Sequence, residues 1–107
     1  MTNFDGKRIY VSGPMTGKKD YNRQEFAEVT RFLRNQGAEV FNPAFATKGL
    51  DRPHEAFMVR DLHQLTEHMD GKPYYDYIAQ LPGWEKSPGA KLEYIVAQAC
   101  GIRAVEV

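Results

Sequence analysis

The stretch that decides the fold is RIYVSGPMTG, residues 8–17. Its first half, residues 8–12, holds three apolar residues in a row, two of them β-branched, which is typical of a buried strand. Two glycines and a proline follow within five residues, which indicates a tight loop over residues 13–17. The segment Asn22-Arg23-Gln24-Glu25 has the pattern of a capping box and predicts that a helix begins there.

The alternation of strands and helices continues to the end of the chain. We predict further strands over residues 38–41, 76–81 and 102–107, and a second helix over residues 54–68. A third helix begins at Ser87-Pro88, with serine as its N-cap, and ends at Gly101. The residues predicted to form apolar helix faces are Phe26, Val29, Phe32 and Leu33, then Ala56, Phe57, Val59, Leu62 and Leu65, then Leu92, Ile95, Val96 and Ala99.

Strands that alternate with helices predict parallel pairing with right-handed crossovers. We therefore expect one domain, residues 1–107, with the α/β fold of a small Rossmann/flavodoxin-like three-layer sandwich and a parallel sheet of four or five strands. In such sheets ligands bind beyond the carboxyl ends of the strands. The loops over residues 13–20, 42–53 and 82–88 leave from that edge and are the candidate ligand-binding loops.

Composition excludes several classes of function. Lys plus Arg and Asp plus Glu are 14 each among 107 residues, so net charge favours neither nucleic acid nor an anionic membrane as a partner. The single Cys100 cannot form an internal disulfide, and three scattered histidines do not have a convincing metal-ligand spacing, so we predict no metal and no cofactor. No signal core or membrane-spanning run is present, so we expect a cytoplasmic protein.

The start of the third predicted helix is the most informative candidate site. A helix N-terminus attracts anions such as phosphate, and Gly89 in the first turn leaves space beside Ser87. Glu93 follows Gly89 by four residues and therefore lies on the same face of the helix. The spacing from Ser87 to Glu93 would suit the phosphate and the sugar of one nucleotide. The alternative is a capped surface helix with a solvated glutamate.

Other candidates are less specific. Asp61 would supply the second carboxylate that glycoside cleavage commonly uses, or it is an exposed partner of a nearby basic residue. The loop Gly13-Pro14-Met15-Thr16-Gly17 would bring backbone close to a ligand, or it is a plain turn. Trp84 would stack on a base or cover the core. We expect Tyr74, Tyr75 and Tyr77 to pack at a surface or subunit contact.

Several segments together resemble the DUF4406 family, which belongs with the nucleoside 2-deoxyribosyltransferase-like superfamily. These segments are Ile9 to Gly17, Tyr21-Asn22, Phe26, Leu33, Asn42-Pro43-Ala44, Arg60-Asp61-Leu62 and Leu81 to Ala90 with Glu93. The resemblance implies that Glu93 attacks the sugar carbon, that Asp61 assists the base and that Tyr10 lies at the site. It implies substrate contacts by Ser87, which meets a 5′-phosphate in the hydrolases, and by Gly13, Pro14, Met15, Thr16, Asn42, Trp84 and Gly89.

The sequence departs from the family pattern in two places. The related hydrolases carry an Arg in the first loop where Thr16 stands, so Lys18 or Lys19 would have to replace it. Residues 68–75 look like an insertion that would shift Asp61, and Asp76 is a competing acid that we reject because it opens its strand at the wrong edge.

The resemblance implies cleavage of the N-glycosidic bond of a nucleoside or nucleoside 5′-monophosphate. The alternatives are a nucleoside 2-deoxyribosyltransferase, a non-catalytic nucleotide-binding or sensor module, and a structural or interaction protein. It also implies self-association as a homodimer or homotetramer.

Overall fold

The computed structural model describes residues 4–46 and 54–107. The strands are β1 (Arg8–Ser12), β2 (Glu39–Phe41), β3 (His68–Met69), β4 (Lys72–Pro73), β5 (Tyr77–Gln80) and β6 (Arg103–Glu106). The helices are α1 (Arg23–Asn35), α2 (Pro43–Ala46), α3 (His54–Leu65) and α4 (Pro88–Ala99), with 3₁₀ turns at Lys19–Asn22 and Trp84–Lys86.

Four strands form one parallel sheet in the order β2-β1-β5-β6. One core contains residues of α1 together with the inward residues Ile9 and Val11 of β1. The other contains Tyr10, Ile78 and Ala97, so α4 packs against the opposite face of the sheet. The predicted three-layer α/β sandwich is therefore confirmed. No helix within the described ranges is long and apolar enough to cross a membrane.

Helix α1 begins where it was predicted, but the capping box does not form. Asn22 has a left-handed backbone (φ 63°) and makes no capping bond with its side chain. The side-chain amide nitrogen of Asn22 (Nδ2) instead donates to the carbonyl oxygen of Pro14 (3.1 Å), which ties the first loop to the helix start. The prediction that Phe32 faces the core was also wrong, since 56% of it is exposed. Phe26 and Leu33 lie seven residues apart on the same inward stripe, and Phe32 lies about 100° away from it.

The predicted apolar face of α4 was wrong for three of its four residues, whereas Val96 packs against the core as predicted. Leu92 and Ile95 are 42% and 60% exposed, and Ala99 is exposed too. The helix instead buries two small residues and one acid: Ala90, Glu93 and Ala97. Alanines allow the helix to approach the sheet closely, and the acid is tolerated because hydroxyl groups on β1 satisfy its carboxylate.

Helix α3 ends at Leu65, three residues earlier than predicted, and its Val59 is 71% exposed rather than part of the core. The apparent insertion after it contains an antiparallel hairpin of β3 and β4, which was not predicted. Asp70 and Gly71 form its two-residue turn with φ values of 55° and 76°. Asp-Gly is the residue pair that such turns favour, so the chain reverses direction within the apparent insertion.

Candidate functional site

Glu93 is a buried acid on α4, with 5% of its surface exposed. The phenol of Tyr10 donates a hydrogen bond to its Oε2, and the hydroxyl of Ser12 donates to its Oε1 at 2.8 Å. Tyr10 and Ser12 are alternate residues of β1 and so point to the same face of the sheet. Glu93 lies in the second turn of α4, which packs against that face, and both carboxylate oxygens therefore have a hydroxyl partner.

Burial controls the ionisation of this group. It raises the pKa of Glu93 from 4.5 to about 7, although the hydrogen bonds from Tyr10 and Ser12 act in the opposite direction. The pKa of the Tyr10 phenol is also raised, first by burial and then by the charge of Glu93. Tyr10 therefore stays protonated and remains a hydrogen-bond donor to the carboxylate at neutral pH.

Asp61 is the second buried acid, 4% exposed, and lies on α3. Its Oδ1 accepts hydrogen bonds from Nε (2.9 Å) and Nη2 (2.6 Å) of Arg60. Burial raises the pKa of Asp61, and the neighbouring guanidinium opposes that shift. Asp61 thus pairs with a nearby basic residue, Arg60, as one alternative predicted. Asp61 is buried, however, whereas that alternative predicted an exposed carboxylate.

The two acids share the wall of one cleft of about 50 Å³. The other residues that line it are Gly13, Met15, Thr16, Tyr21, Phe57, Met58, Ser87, Gly89 and Ala90. One side of this cleft is therefore acidic, and Tyr21, Phe57 and Met58 make the remainder largely apolar. Asp61 lies at the cleft despite the hairpin that follows its helix, whereas Asp76 binds the backbone of Arg8 at the opposite end of the sheet.

A wider cleft of about 630 Å³ adjoins the first, and Thr16, Ser87 and Gly89 line both. Its remaining walls are Pro14, Lys18, Gly83, Lys86 and Pro88. Ser87 is the N-cap of α4, and its hydroxyl accepts a hydrogen bond from the amide of Ala90 at 3.2 Å. The N-terminus of α4 and two exposed lysines therefore surround this second cleft.

Two residues expected to contact substrate lie elsewhere. Asn42 binds the amide of Ala44 through its Oδ1 (3.0 Å) and is not among the described residues of either cleft. Trp84 packs on Tyr94 with 4.9 Å between ring centroids, and its indole donates to Glu106. Trp84 therefore covers the end of the sheet.

Gly13 has a packing role that the sequence did not indicate. A Cβ atom there would lie 2.7 Å from the Cβ of Leu81, so only glycine fits between β1 and the loop after β5. Gly13 therefore lines the cleft because β1 and the loop after β5 pack closely at this point.

Sequence reasoning missed several residues of the site. Ser12 carried a usable signal, because it follows Tyr10 by two residues on the same strand. Phe57 was assigned to the core, and Tyr21 was noted only as part of the family resemblance, since its approach to the cleft depends on the left-handed backbone from Asp20 to Asn22. Within residues 4–46 and 54–107, no cluster of three or more His, Cys, Asp or Glu forms a metal site.

Comparison with known proteins gives one finding that bears on this site. A search of curated proteins found no match to the sequence. The family described as "Domain of unknown function (DUF4406)" matches residues 7–106, a span that contains both acids, both clefts and the whole parallel sheet. The chain therefore belongs to the DUF4406 family.

Proposed function

We propose that the protein cleaves the N-glycosidic bond of a nucleoside or nucleoside 5′-monophosphate, with Glu93 as the nucleophile. The observation that carries the proposal is a buried carboxylate held by two hydroxyls, beside a second buried carboxylate in one cleft. Two carboxyl groups in different environments suit a reaction that needs one nucleophile and one acid. The resemblance to the nucleoside 2-deoxyribosyltransferase-like superfamily supports the same chemistry.

In the first step, a carboxylate oxygen of Glu93 attacks the anomeric carbon of the sugar. The carbon–nitrogen bond breaks, and its electron pair leaves on the base nitrogen, which takes a proton from Asp61. Water then attacks the same carbon and gives up a proton to Asp61, and the ester bond to Glu93 breaks. Two displacements at one carbon retain its configuration.

The hydroxyls of Tyr10 and Ser12 prepare Glu93 for this role. Both donate to the carboxylate, so they favour its ionised form and hold its orientation in a buried environment. With a pKa of about 7, much of Glu93 is protonated near neutral pH. The balance between burial and the two donors would therefore set the pH at which the nucleophile becomes available.

The two clefts suit different parts of the substrate. The inner cleft places apolar side chains of Tyr21, Phe57 and Met58 near the acids, and such side chains suit contact with the face of a base. The outer cleft joins the N-terminus of α4 to the ammonium groups of Lys18 and Lys86, where a 5′-phosphate would be attracted. Lys18, rather than Lys19, is thus the candidate to replace the Arg of the related hydrolases.

The test is a screen of ribo- and deoxynucleosides and their 5′-monophosphates, with free base measured by liquid chromatography and mass spectrometry. We expect base release by the parent protein and a loss of at least about a thousandfold in Glu93→Gln. Glu85→Gln is the control, because Glu85 is an exposed acid in the turn before α4. Equal rates in Glu93→Gln and the parent would refute the role of Glu93.

The same screen separates the competing functions. Transfer of the sugar to an added second base would identify a deoxyribosyltransferase, which uses the same nucleophile. A rise in melting temperature with a nucleotide, without any base release, would identify a binding or sensor module.

The homodimer or homotetramer remains part of the proposal, and Leu92 and Ile95 are exposed apolar residues of α4 that would form the contact between copies. Sedimentation velocity of Ile95→Arg would test that contact.

A further inference from the structure

The hairpin that looks like an insertion brings a buried aromatic residue to the candidate site. Tyr75 follows β4 and is only 4% exposed, contrary to the expectation that it packs at a surface. It belongs to the same core as Tyr10, Ile78 and Ala97, on the α4 side of the sheet. The hairpin thus ends inside the protein, next to the strand that carries the partners of Glu93.

The ring of Tyr75 holds one side of Tyr10. The two rings meet edge to face, with centroids 5.7 Å apart and planes at 81°. Phe41 makes a second contact with Tyr10: the two rings are stacked, with centroids 5.4 Å apart and planes at 25°. Such pairs have preferred geometries, so two of them restrict the tilt of the Tyr10 ring. The two neighbouring rings also confine the long axis of the Tyr10 side chain, and because the hydroxyl lies on that axis they help to set its position against Glu93.

The hydroxyl of Tyr75 makes a second connection. It accepts a hydrogen bond from Nε2 of Gln64 at 2.7 Å. Gln64 lies three residues after Asp61, which is close to one turn along α3. One side chain therefore contacts the partner of Glu93 with its ring and the helix of Asp61 with its hydroxyl.

We propose that Tyr75 is a positioning residue that holds Tyr10 against Glu93 and fixes the helix of Asp61 relative to them. The proposal rests on the proposed function for its catalytic consequence, but not for its geometry. The hairpin is then a part of the site that acts without touching the substrate.

The decisive measurement is the pKa of Glu93, followed by the ¹³C signal of its carboxyl group as pH changes. Tyr10→Phe serves as the reference, because it removes the donated hydrogen bond and should raise that pKa above about 7. If Tyr75 positions Tyr10, Tyr75→Leu should shift the pKa of Glu93 in the same direction. The other charged groups that act on Glu93, Asp61 and Arg60 on α3, are unchanged in both variants.

Two controls separate positioning from general loss of packing. Tyr75→Phe keeps the ring on Tyr10 and should leave the pKa of Glu93 as in the parent. Tyr77→Leu makes the same change as Tyr75→Leu on the opposite face of the sheet, where Tyr77 packs on Phe4. It should also leave the pKa of Glu93 unchanged. An unchanged or lowered pKa in Tyr75→Leu, or an equal rise in Tyr77→Leu, would overturn the proposal.

Kinetics give the second readout. For the substrate found in the base-release screen, Tyr75→Leu should lower kcat at least tenfold with KM within twofold. Tyr75→Phe keeps the ring but loses the hydrogen bond from Gln64, so its kcat should lie between those of Tyr75→Leu and the parent. If the parent releases no base, the proposed function fails, while the titration of Glu93 still decides the role of Tyr75. If Tyr75→Leu does not fold, nuclear Overhauser contacts between the rings of Tyr75 and Tyr10 in the parent decide it, and their absence would contradict the proposal.

Discussion

At one end of the candidate site Glu93 is buried and bound by two hydroxyls, whereas at the other end Lys18 and Lys86 are exposed around the start of α4. The partners of Glu93 come from β1, at the centre of the sheet. The outer cleft is made of loop residues, the N-cap Ser87 and two flexible side chains. The two ends thus differ in burial and in the kind of contact that forms them.

This difference shows which contacts the fold itself supplies. A buried carboxylate without partners would cost several kcal/mol, so the bonds from Tyr10 and Ser12 are needed for the folded state as well as for chemistry. An anion at the outer cleft would meet backbone amides and mobile ammonium groups, which contribute little to folding. We therefore expect changes at the Glu93 end to affect stability and rate strongly, and changes at the outer end to affect mainly binding of charged ligands.

The largest expected effect is on stability as a function of pH. The pKa of Glu93 is about 7 in the folded protein and 4.5 is its ordinary value. Between these pH values the folded state keeps a proton that the unfolded chain has lost, so the free energy of unfolding falls as pH rises and levels off above about 7. Glu93→Gln removes this titration and should exceed the parent in stability by about 3 kcal/mol at pH 8, but hardly at pH 4.5.

Urea unfolding at several pH values between 4.5 and 8 measures this difference. Glu85→Gln is the control, because it makes the same change at an exposed acid that lies outside both clefts' described residues. If the parent and Glu93→Gln have parallel stability curves, the Glu93 carboxyl does not titrate as its burial requires.

The second prediction concerns the hydroxyl of Ser12. Ser12→Ala removes the donor to Oε1 of Glu93, which should raise the pKa of Glu93 and lower base release at pH 7 by roughly tenfold. The rise of the rate with pH should move to higher pH. Thr30→Val is the control, because it also removes a buried hydroxyl, one that bonds Phe26 on the opposite face of the sheet. Equal losses in both variants would show that Ser12 has only a structural role.

The sequence predicted the fold well where its signals are local. The strand at residues 8–12 was predicted with its observed bounds, because an apolar run followed by Gly13 depends only on neighbours in the chain. The orientation of α4 was not predictable in this way. Its inward positions carry Ala90, Glu93 and Ala97, so a rule that puts large apolar residues inside assigns the wrong face.

The residues of the candidate site were likewise predicted where the signal is local in the sequence, and missed where it is not. Spacing along one helix connected Ser87, Gly89 and Glu93, and the family resemblance added Tyr10 and favoured Asp61 as the second acid. Tyr75 could not be found from spacing, because it reaches Tyr10 across 65 positions of the chain through a hairpin whose direction the sequence alone did not reveal.

The third prediction concerns the helix cap at the outer end. Ser87→Ala removes the oxygen that accepts from the amide of Ala90 and should lower the free energy of unfolding by about 1 kcal/mol. Ser87→Asn should retain most of the stability, because asparagine is also a favoured N-cap. Urea unfolding of both variants checks this, and equal losses in the two would show that capping does not explain the effect.

The smallest expected effect belongs to the lysines of the outer cleft. Lys18→Gln and Lys86→Gln should each raise the KM of a nucleoside 5′-monophosphate by no more than a few-fold, because exposed ion pairs contribute roughly 0–1 kcal/mol. The effect should shrink at high salt and be absent with the nucleoside, which carries no phosphate. Lys19→Gln is the matched control, since Lys19 is exposed but is not among the described residues that line the cleft. A similar rise in KM for Lys19→Gln, or for the nucleoside, would show that the phosphate does not bind in this cleft. The difference between the two ends of the site would then rest on the buried Glu93 alone.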